Sequence, residues 1–293
     1  MAQVGFVGLG AMGSRAAKRL MDAGHTVIGY NRTKSRVQGL LNAGMRWADS
    51  PRAVAGQADI VFSMVTDNTA LQEIFDGPDG ILAGLRRGKT YCDMSTVSPS
   101  LSRALAGRVA EMDAQMLDAP VSGSPVALEQ GQATLLVGGD RAAFEQVRPI
   151  LGSIASKVDY IGGNGQGLVM KLAINLNLPI QQQGFSEGVL LAERAGVPRA
   201  KAVEVLLDTV IASPGLKLRG PFALKMPAHA LFDVDMMQKD VVLAEELGRE
   251  VNVPLPNAAL VSEFLTAARA MGLAGQDFAI LFQVLRQMAG QSR

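Results

Sequence analysis

The run Gly8-Leu9-Gly10-Ala11-Met12-Gly13 constrains this chain more than any other stretch of it. It directly follows the apolar segment Val4-Gly5-Phe6-Val7 and opens a stretch, residues 12–23, with helical spacing. Between a strand and a helix, each glycine of Gly-x-Gly-x-x-Gly has its own task. The first permits a tight turn, the second lets the backbone approach a pyrophosphate, and the third lets the helix pack closely on the sheet. The helix N-terminus then offers N–H groups and a partial positive charge to the phosphates. A glycine turn without a ligand would satisfy the bare pattern. The strand–loop–helix setting, near the start of a βαβ unit, points instead to a dinucleotide held by Gly8, Leu9, Gly10, Ala11, Met12 and Gly13.

Short β-rich runs alternate with helical stretches through the first half. Residues 4–7, 26–30, 60–65, 90–94, 116–118 and 134–137 read as strands. Their apolar character suits strands buried on both faces, hence a largely parallel sheet covered by helices. After Tyr160-Ile161-Gly162-Gly163-Asn164-Gly165 helical periodicity takes over. Residues 167–194 read as one long helix with a kink expected at Pro179, followed by helices near 199–207, 238–250 and 257–271. The expected domains are therefore an α/β domain over residues 1–163 and an all-helical one over residues 164–293.

The remaining composition excludes several classes of function. With 293 residues, 48% hydrophobic and 19% charged, the chain can bury two ordinary cores. A net charge of +1 without a basic block gives no nucleic-acid footprint. Cys92 is the single cysteine, so no internal disulfide forms, and it reads as a small core residue in a reducing compartment. Val4-Gly5-Phe6-Val7 lacks preceding basic residues and is too short for a signal-peptide core, and no apolar run reaches membrane-spanning length. A cytoplasmic protein with no membrane partner is expected. His25 and His229 have no partners at metal-ligand spacing, so no metal is expected. A Gly-x-Ser-x-Gly hydrolase elbow is absent as well.

Past the second strand comes Asn31-Arg32-Thr33-Lys34. A site specific for NAD usually carries an acid there for the ribose 2′-hydroxyl. A guanidinium, a hydroxyl and an ammonium suit a 2′-phosphate instead, so Asn31, Arg32, Thr33 and Lys34 predict NADP as the preferred cofactor, with NAD second. The bland alternative is solvated charge, with an arginine stacked on adenine. Met64-Val65 and Ser95-Thr96 end or follow strands and should lie along the cofactor crevice; for Met64 and Val65 core packing competes.

Other residues bear on the substrate. Ser122-Gly123-Ser124, after a strand ending at Asp118, offers two hydroxyls and backbone N–H groups to a carboxylate, although an ordinary turn uses the same residues. Lys171 and Asn175 are four apart and share a helix face with Gly167. Taken singly, Lys171 reads as a surface lysine. Phe232 could wall a substrate pocket, or simply fill a core.

Four segments together resemble the β-hydroxyacid dehydrogenase family, which includes 3-hydroxyisobutyrate dehydrogenase, tartronate semialdehyde reductase and the glyoxylate/succinic semialdehyde reductases. They are residues 8–13, Asp118-Ala119-Pro120-Val121-Ser122-Gly123-Ser124, Gly167-Leu168-Val169-Met170-Lys171-Leu172-Ala173-Ile174-Asn175, and Lys239-Asp240-Val241-Val242-Leu243-Ala244. The resemblance implies a Rossmann-type N-terminal domain, a long interdomain helix and an all-α C-terminal domain. It implies that Lys171 is the general acid/base and that Ser122, Gly123 and Ser124 hold the substrate carboxylate; Asn175, on the same helix face, could hold the substrate or fix the lysine by hydrogen bonding. It places Thr96 near the nicotinamide end and Lys239 near the cofactor, with Asp240 as a structural partner. Two departures stand out: position 124 is Ser where the family usually has Gly, and Pro179 interrupts the long helix. The implied reaction is NADP-linked interconversion of a small β-hydroxy carboxylate and its semialdehyde or oxo acid. The alternatives are an aldehyde or imine reductase of the same superfamily and, from another class, a non-catalytic NADP-binding module. Imine reductases usually lack the lysine. The apolar C-terminal helices imply a homodimer or homotetramer.

Overall fold

A computed structural model of the chain describes residues 1–291. Two compact units are present, Met1–Lys171 and Leu172–Arg293, and the division falls inside one helix, Gln166–Arg194.

The first unit is built on one sheet. Its strands are β1 (Gln3–Val7), β2 (Thr26–Tyr30), β3 (Arg46–Trp47), β4 (Ile60–Ser63), β5 (Thr90–Asp93), β6 (Gln115–Asp118), β7 (Val121–Ser122), β8 (Thr134–Gly139) and β9 (Lys157–Gly162). The order begins β3-β2-β1-β4-β5-β6, and every pairing in that run is parallel. This is the doubly wound dinucleotide-binding order, whose direction reverses between β1 and β4. Beyond β6 the sheet changes character: β8 runs antiparallel to β6 and to β7, and parallel to β9. The short strands β3 and β7 and the half-buried β9 are not among the strands expected from the sequence.

Side chains alternate across this sheet, as the strand period of two requires. Val4, Phe6, Phe62 and Cys92 belong to one apolar cluster, while Val7, Val61 and Tyr91 belong to another. Both faces are therefore buried, which explains the nearly continuous apolar runs. Cys92 is fully buried, and burial pushes its thiol well up, so it acts as a core residue.

Helix starts follow a simple local code. Among the described residues, four helices open with Ser-Pro: Pro51–Gln57, Pro99–Ala110, Pro125–Glu129 and Pro214–Arg219. In each, the serine oxygen accepts a backbone N–H from the first turn, and proline supplies a preset φ where no helical donor is needed.

The second unit is helical. After Gln166–Arg194 come Arg199–Leu207, Pro214–Arg219, Val234–Glu250, Pro256–Ala270 and Leu281–Met288. Pro179 lies within the 29-residue helix, where it supplies no N–H to the helical ladder. Val234, Met237, Val241, Val261, Leu265 and Leu281 are among the residues of its main core. A buried ion pair, Arg219 Nε to Asp277 Oδ1 at 3.3 Å, locks the segment around residue 232. The other oxygen, Asp277 Oδ2, accepts the N–H groups of Leu231 and Phe232 at 3.0 and 3.1 Å. Among the described residues, no helix is long and apolar enough to cross a membrane.

Candidate active site

The glycine loop lies at the carboxyl end of β1, beside the point where strand order reverses. Gly8 has φ +89°, and a Cβ there would fall on the Met64 carbonyl oxygen. A Cβ on Gly13 would fall on the Gly8 carbonyl oxygen, so only glycine lets the helix Gly13–Asp22 start this close to the turn. Gly10 differs from both: nothing lies within 4 Å of the position its Cβ would take. Its openness is toward solvent, as the exposure of Gly10 and Ala11 shows. The helix start at Met12 carries no side-chain cap, and no acid occupies the first turn. An uncapped helix N-terminus behind an open glycine suits a pyrophosphate, both by shape and by charge. The residues therefore fit a dinucleotide.

Asn31 braces this loop. Its Oδ1 accepts the Leu9 N–H at 3.0 Å, and its Nδ2 donates to the Thr33 carbonyl at 2.9 Å. An aspartate could accept the first bond but could not donate the second. Arg32, Thr33 and Lys34 are exposed, and the Lys34 ammonium sits 4.8 Å from the centre of the Trp47 ring. Arg32 is an exposed guanidinium two residues past the end of β2.

Met64 and Val65 form the turn after β4 and touch the underside of the loop at Gly8. The Val65 N–H donates to Ser95 Oγ at 2.9 Å, and Ser95 itself is buried. Thr96, next in the chain, is half-buried.

The helix Gln166–Arg194 starts on a carboxylate from the sheet. Asp118, at the end of β6, accepts the Gly165 N–H on Oδ1 at 2.6 Å and the Leu168 N–H on Oδ2 at 3.0 Å. It acts as a helix cap supplied from about fifty residues earlier in the chain. Burial raises its carboxyl pKa, and the backbone N–H groups oppose that rise. Gly167 makes the contact possible, since a Cβ there would strike the Leu136 carbonyl and the Asp118 carboxylate. The room left by Gly167 is therefore taken up by the sheet. One turn after Leu168 comes Lys171, which is 8% exposed, and one turn further Asn175, at 2%. A surface lysine is ruled out by that burial.

Ser122 and Gly123 follow on β7. Ser122 is half-buried and Gly123 exposed, with φ +151°. The Ser124 oxygen caps the helix Pro125–Glu129 by accepting the Ala127 N–H at 3.1 Å. A cap at position 124 accounts for serine standing where the family usually has glycine.

In the helical unit, Asp240 is 2% exposed and joins two expected site residues. Its Oδ2 accepts from Asn175 Nδ2 at 2.5 Å, and its Oδ1 pairs with Lys239 Nζ at 2.8 Å. Asp240 thus pairs with its neighbour Lys239 and also bonds Asn175, a contact not expected from the sequence. Phe232 is half-buried and meets Phe278 edge-on at 6.3 Å. His25 accepts the Ala2 N–H on Nδ1 at 3.3 Å and reaches Ser153 through Nε2 at 3.4 Å, a structural setting.

Two family descriptions match in series: the NAD binding domain of 6-phosphogluconate dehydrogenase over residues 3–162, and the NAD-binding region of NADP-dependent 3-hydroxyisobutyrate dehydrogenase over residues 165–285. The chain is 34% identical to glyoxylate/succinic semialdehyde reductase 2 of Arabidopsis thaliana, covering 99% of this chain and 80% of the relative. Identity to 2-hydroxy-3-oxopropionate reductase of Escherichia coli is 32%, covering 98% of both. Among solved structures, the Mycobacterium tuberculosis 3-hydroxyisobutyrate dehydrogenase with L-serine superposes with a TM-score of 0.87 at 25% identity, covering 98% of this chain and 99% of that one. With a Rossmann-type unit, an uncapped glycine loop and a helical second unit on the page, the chain belongs to the β-hydroxyacid dehydrogenase family of NAD(P)-dependent oxidoreductases.

Proposed function

We propose that the protein reversibly oxidises a small β-hydroxy carboxylate to its semialdehyde or oxo acid, with NADP as the preferred cofactor. The observation that carries this reading is Lys171, an almost fully buried lysine on the helix pinned by Asp118. A lysine held out of solvent one turn from a buried asparagine has the restricted setting that a proton-transfer group needs.

In oxidation, the neutral Lys171 amine takes the proton of the substrate hydroxyl as the carbon–hydrogen bond breaks; in reduction, its ammonium returns that proton to the forming alkoxide. The nicotinamide, when bound, accepts or supplies the hydride. Ser122 and the Gly123 N–H hold the carboxylate, and the Ser124 cap fixes the geometry of that loop. Asn175 has its amide orientation set by Asp240. The glycine loop and the helix start at Gly13 hold the pyrophosphate, while Asn31, by bracing Leu9, shapes the loop. Arg32 takes the 2′-phosphate; the family description matched in the second half, that of an NADP-dependent enzyme, supports this choice. Thr96, Lys239 and Phe232 complete the proposed cofactor and substrate contacts. We also propose a cytoplasmic homodimer or homotetramer, formed through exposed apolar residues of the helical unit such as Leu191, Val210 and Ile211.

The test is a panel of small hydroxy acids and carboxylated aldehydes, each assayed with NADP(H) and with NAD(H). Turnover should be confined to carboxylated members, and kcat/KM should be roughly tenfold or more higher with NADP(H), the worth of a charge-assisted phosphate contact. Equal or better rates with NAD(H) would refute the cofactor assignment. Equal rates with aldehydes lacking a carboxylate would refute the substrate class.

A further inference from the structure

A buried polar chain crosses the carboxyl ends of β4 and β5. Its centre is Asp93, which is fully buried. Asp93 Oδ1 accepts from Ser63 Oγ at 2.6 Å, from Ser95 Oγ at 2.7 Å and from the Ser95 N–H at 3.3 Å. A serine hydroxyl has one proton to give. Ser63 gives its proton to Asp93, so the Tyr91 hydroxyl is the donor in the 2.7 Å contact with Ser63 Oγ. Ser95 also gives its proton to Asp93 and keeps a lone pair for the Val65 N–H at 2.9 Å. Both limbs thus point inward on the carboxylate. One begins at Tyr91, deep in the core. The other begins at Val65, in the turn whose Met64 carbonyl and Val65 methyl lie directly under Gly8.

We propose that Asp93 is a positioning residue for the cofactor site: acting through Ser95, it holds the Met64–Val65 turn where that turn seats Gly8 and the glycine loop. The proposal rests on the glycine loop being the cofactor site. It gives Ser95 an inward role as a tether.

The arrangement carries a cost that folding alone does not require. Asp93 Oδ2 is buried and accepts no hydrogen bond. Burial pushes the carboxyl up to about 6, against the opposing effect of the Ser63 and Ser95 bonds. The groups around it are Tyr91 and Cys92 on its own strand, both shifted upward, uncharged Ser63 on β4, and Asp118 opposite in register on β6, which adds repulsion. Two trends of opposite sign follow. Between about pH 4 and 6 the folded chain holds a proton that the unfolded chain has released, so this group lowers stability as pH rises. From about pH 5 to 7, centred on about 6, the carboxylate forms, tightens both serine bonds, and raises cofactor affinity.

The experiment is a fluorescence titration of NADPH and NADH binding between about pH 5 and 8, on the wild-type chain, Asp93→Asn and Ser95→Ala. NADH is included because a 2′-phosphate itself titrates near pH 6. The wild type should bind both more tightly as pH rises through about 6. Each variant should bind roughly tenfold more weakly at neutral pH and lose the part of the pH dependence shared by both cofactors. Ser95→Ala retains Asp93, so it decides the matter even if Asp93→Asn fails to fold. Wild-type affinity and pH dependence in Ser95→Ala would overturn the proposal. A wild type that binds neither cofactor would instead overturn the reading of the glycine loop.

Discussion

Replacing Lys171 by Met should lower turnover roughly 10³- to 10⁴-fold while NADPH still binds, the loss expected for a general acid/base. Methionine keeps the buried stem and removes only the titratable nitrogen, so the helix should tolerate it. Lys171→Arg sharpens the result. Arginine keeps a positive charge but cannot give up its proton at any usable pH. If Lys171 acted only by attracting the carboxylate, Arg would retain much of the activity; as a proton-transfer group, it should not be replaceable by Arg. The burial of Lys171, with 8% exposure, already excludes the bland reading of a solvated lysine on an amphipathic helix.

The second large effect concerns Asp118. Asp118→Ala removes the acceptor of two backbone N–H groups, those of Gly165 and Leu168, at a buried helix start. Each orphaned buried donor costs about 1–3 kcal/mol, so the variant should lose roughly 2–6 kcal/mol of stability. For a protein of 293 residues that is a fall in Tm on the order of 3–10 °C. Asp118→Asn should fall between, because its carbonyl oxygen can serve one N–H while its amide opposes the other. Because Lys171 lies one turn past Leu168, kcat should fall in the Asn variant before KM for the cofactor changes. A thermal melt and steady-state kinetics on both variants check this; an unchanged Tm for Asp118→Ala would remove Asp118 as the anchor.

Much of the fold was legible because its signals are local. Gly8-x-Gly10-x-x-Gly13 and the apolar runs of β1, β2, β4 and β5 carry their periodicity within a few residues. The helix Arg199–Leu207 is bounded by Pro198 in the same local way. What escaped was short or half-exposed. β3 and β7 have two residues each, too few to show alternation, and β9 is half-buried along most of its length. The helices Pro214–Arg219 and Leu281–Met288 also went unread, although Ser213-Pro214 carries the same start signal as Ser50-Pro51.

The same division applies to the site. Lys171, Asn175 and the Ser122 loop are the proposed site residues that spacing and resemblance single out. The buried carboxylates that brace the surrounding elements are not legible there. Asp118 meets Gly165, Asp240 meets Asn175, and Asp93 meets Ser63, in each case across dozens of residues. Such pairs depend on strand register and helix packing, which no single segment encodes. Buried aspartates at strand ends are the one hint the sequence contains: Asp93 and Asp118 close β5 and β6 in register. Ser124 and Gly167 show the converse. Both belong to readable motifs, yet their packing gives them structural tasks, a helix cap and a close contact with the sheet.

Direct hydride transfer is the central claim, and isotope labelling tests it most directly. NADPH deuterated at the transferring carbon is incubated with the enzyme and a small carboxylated aldehyde, and the product is read by NMR. The deuterium should appear on the carbon that bears the new hydroxyl, from only one of the two stereoisomers of the labelled cofactor, with wild type and not with Lys171→Met. Cofactor that binds but transfers no deuterium to any carboxylated aldehyde or oxo acid would contradict the account and leave a binding module in its place.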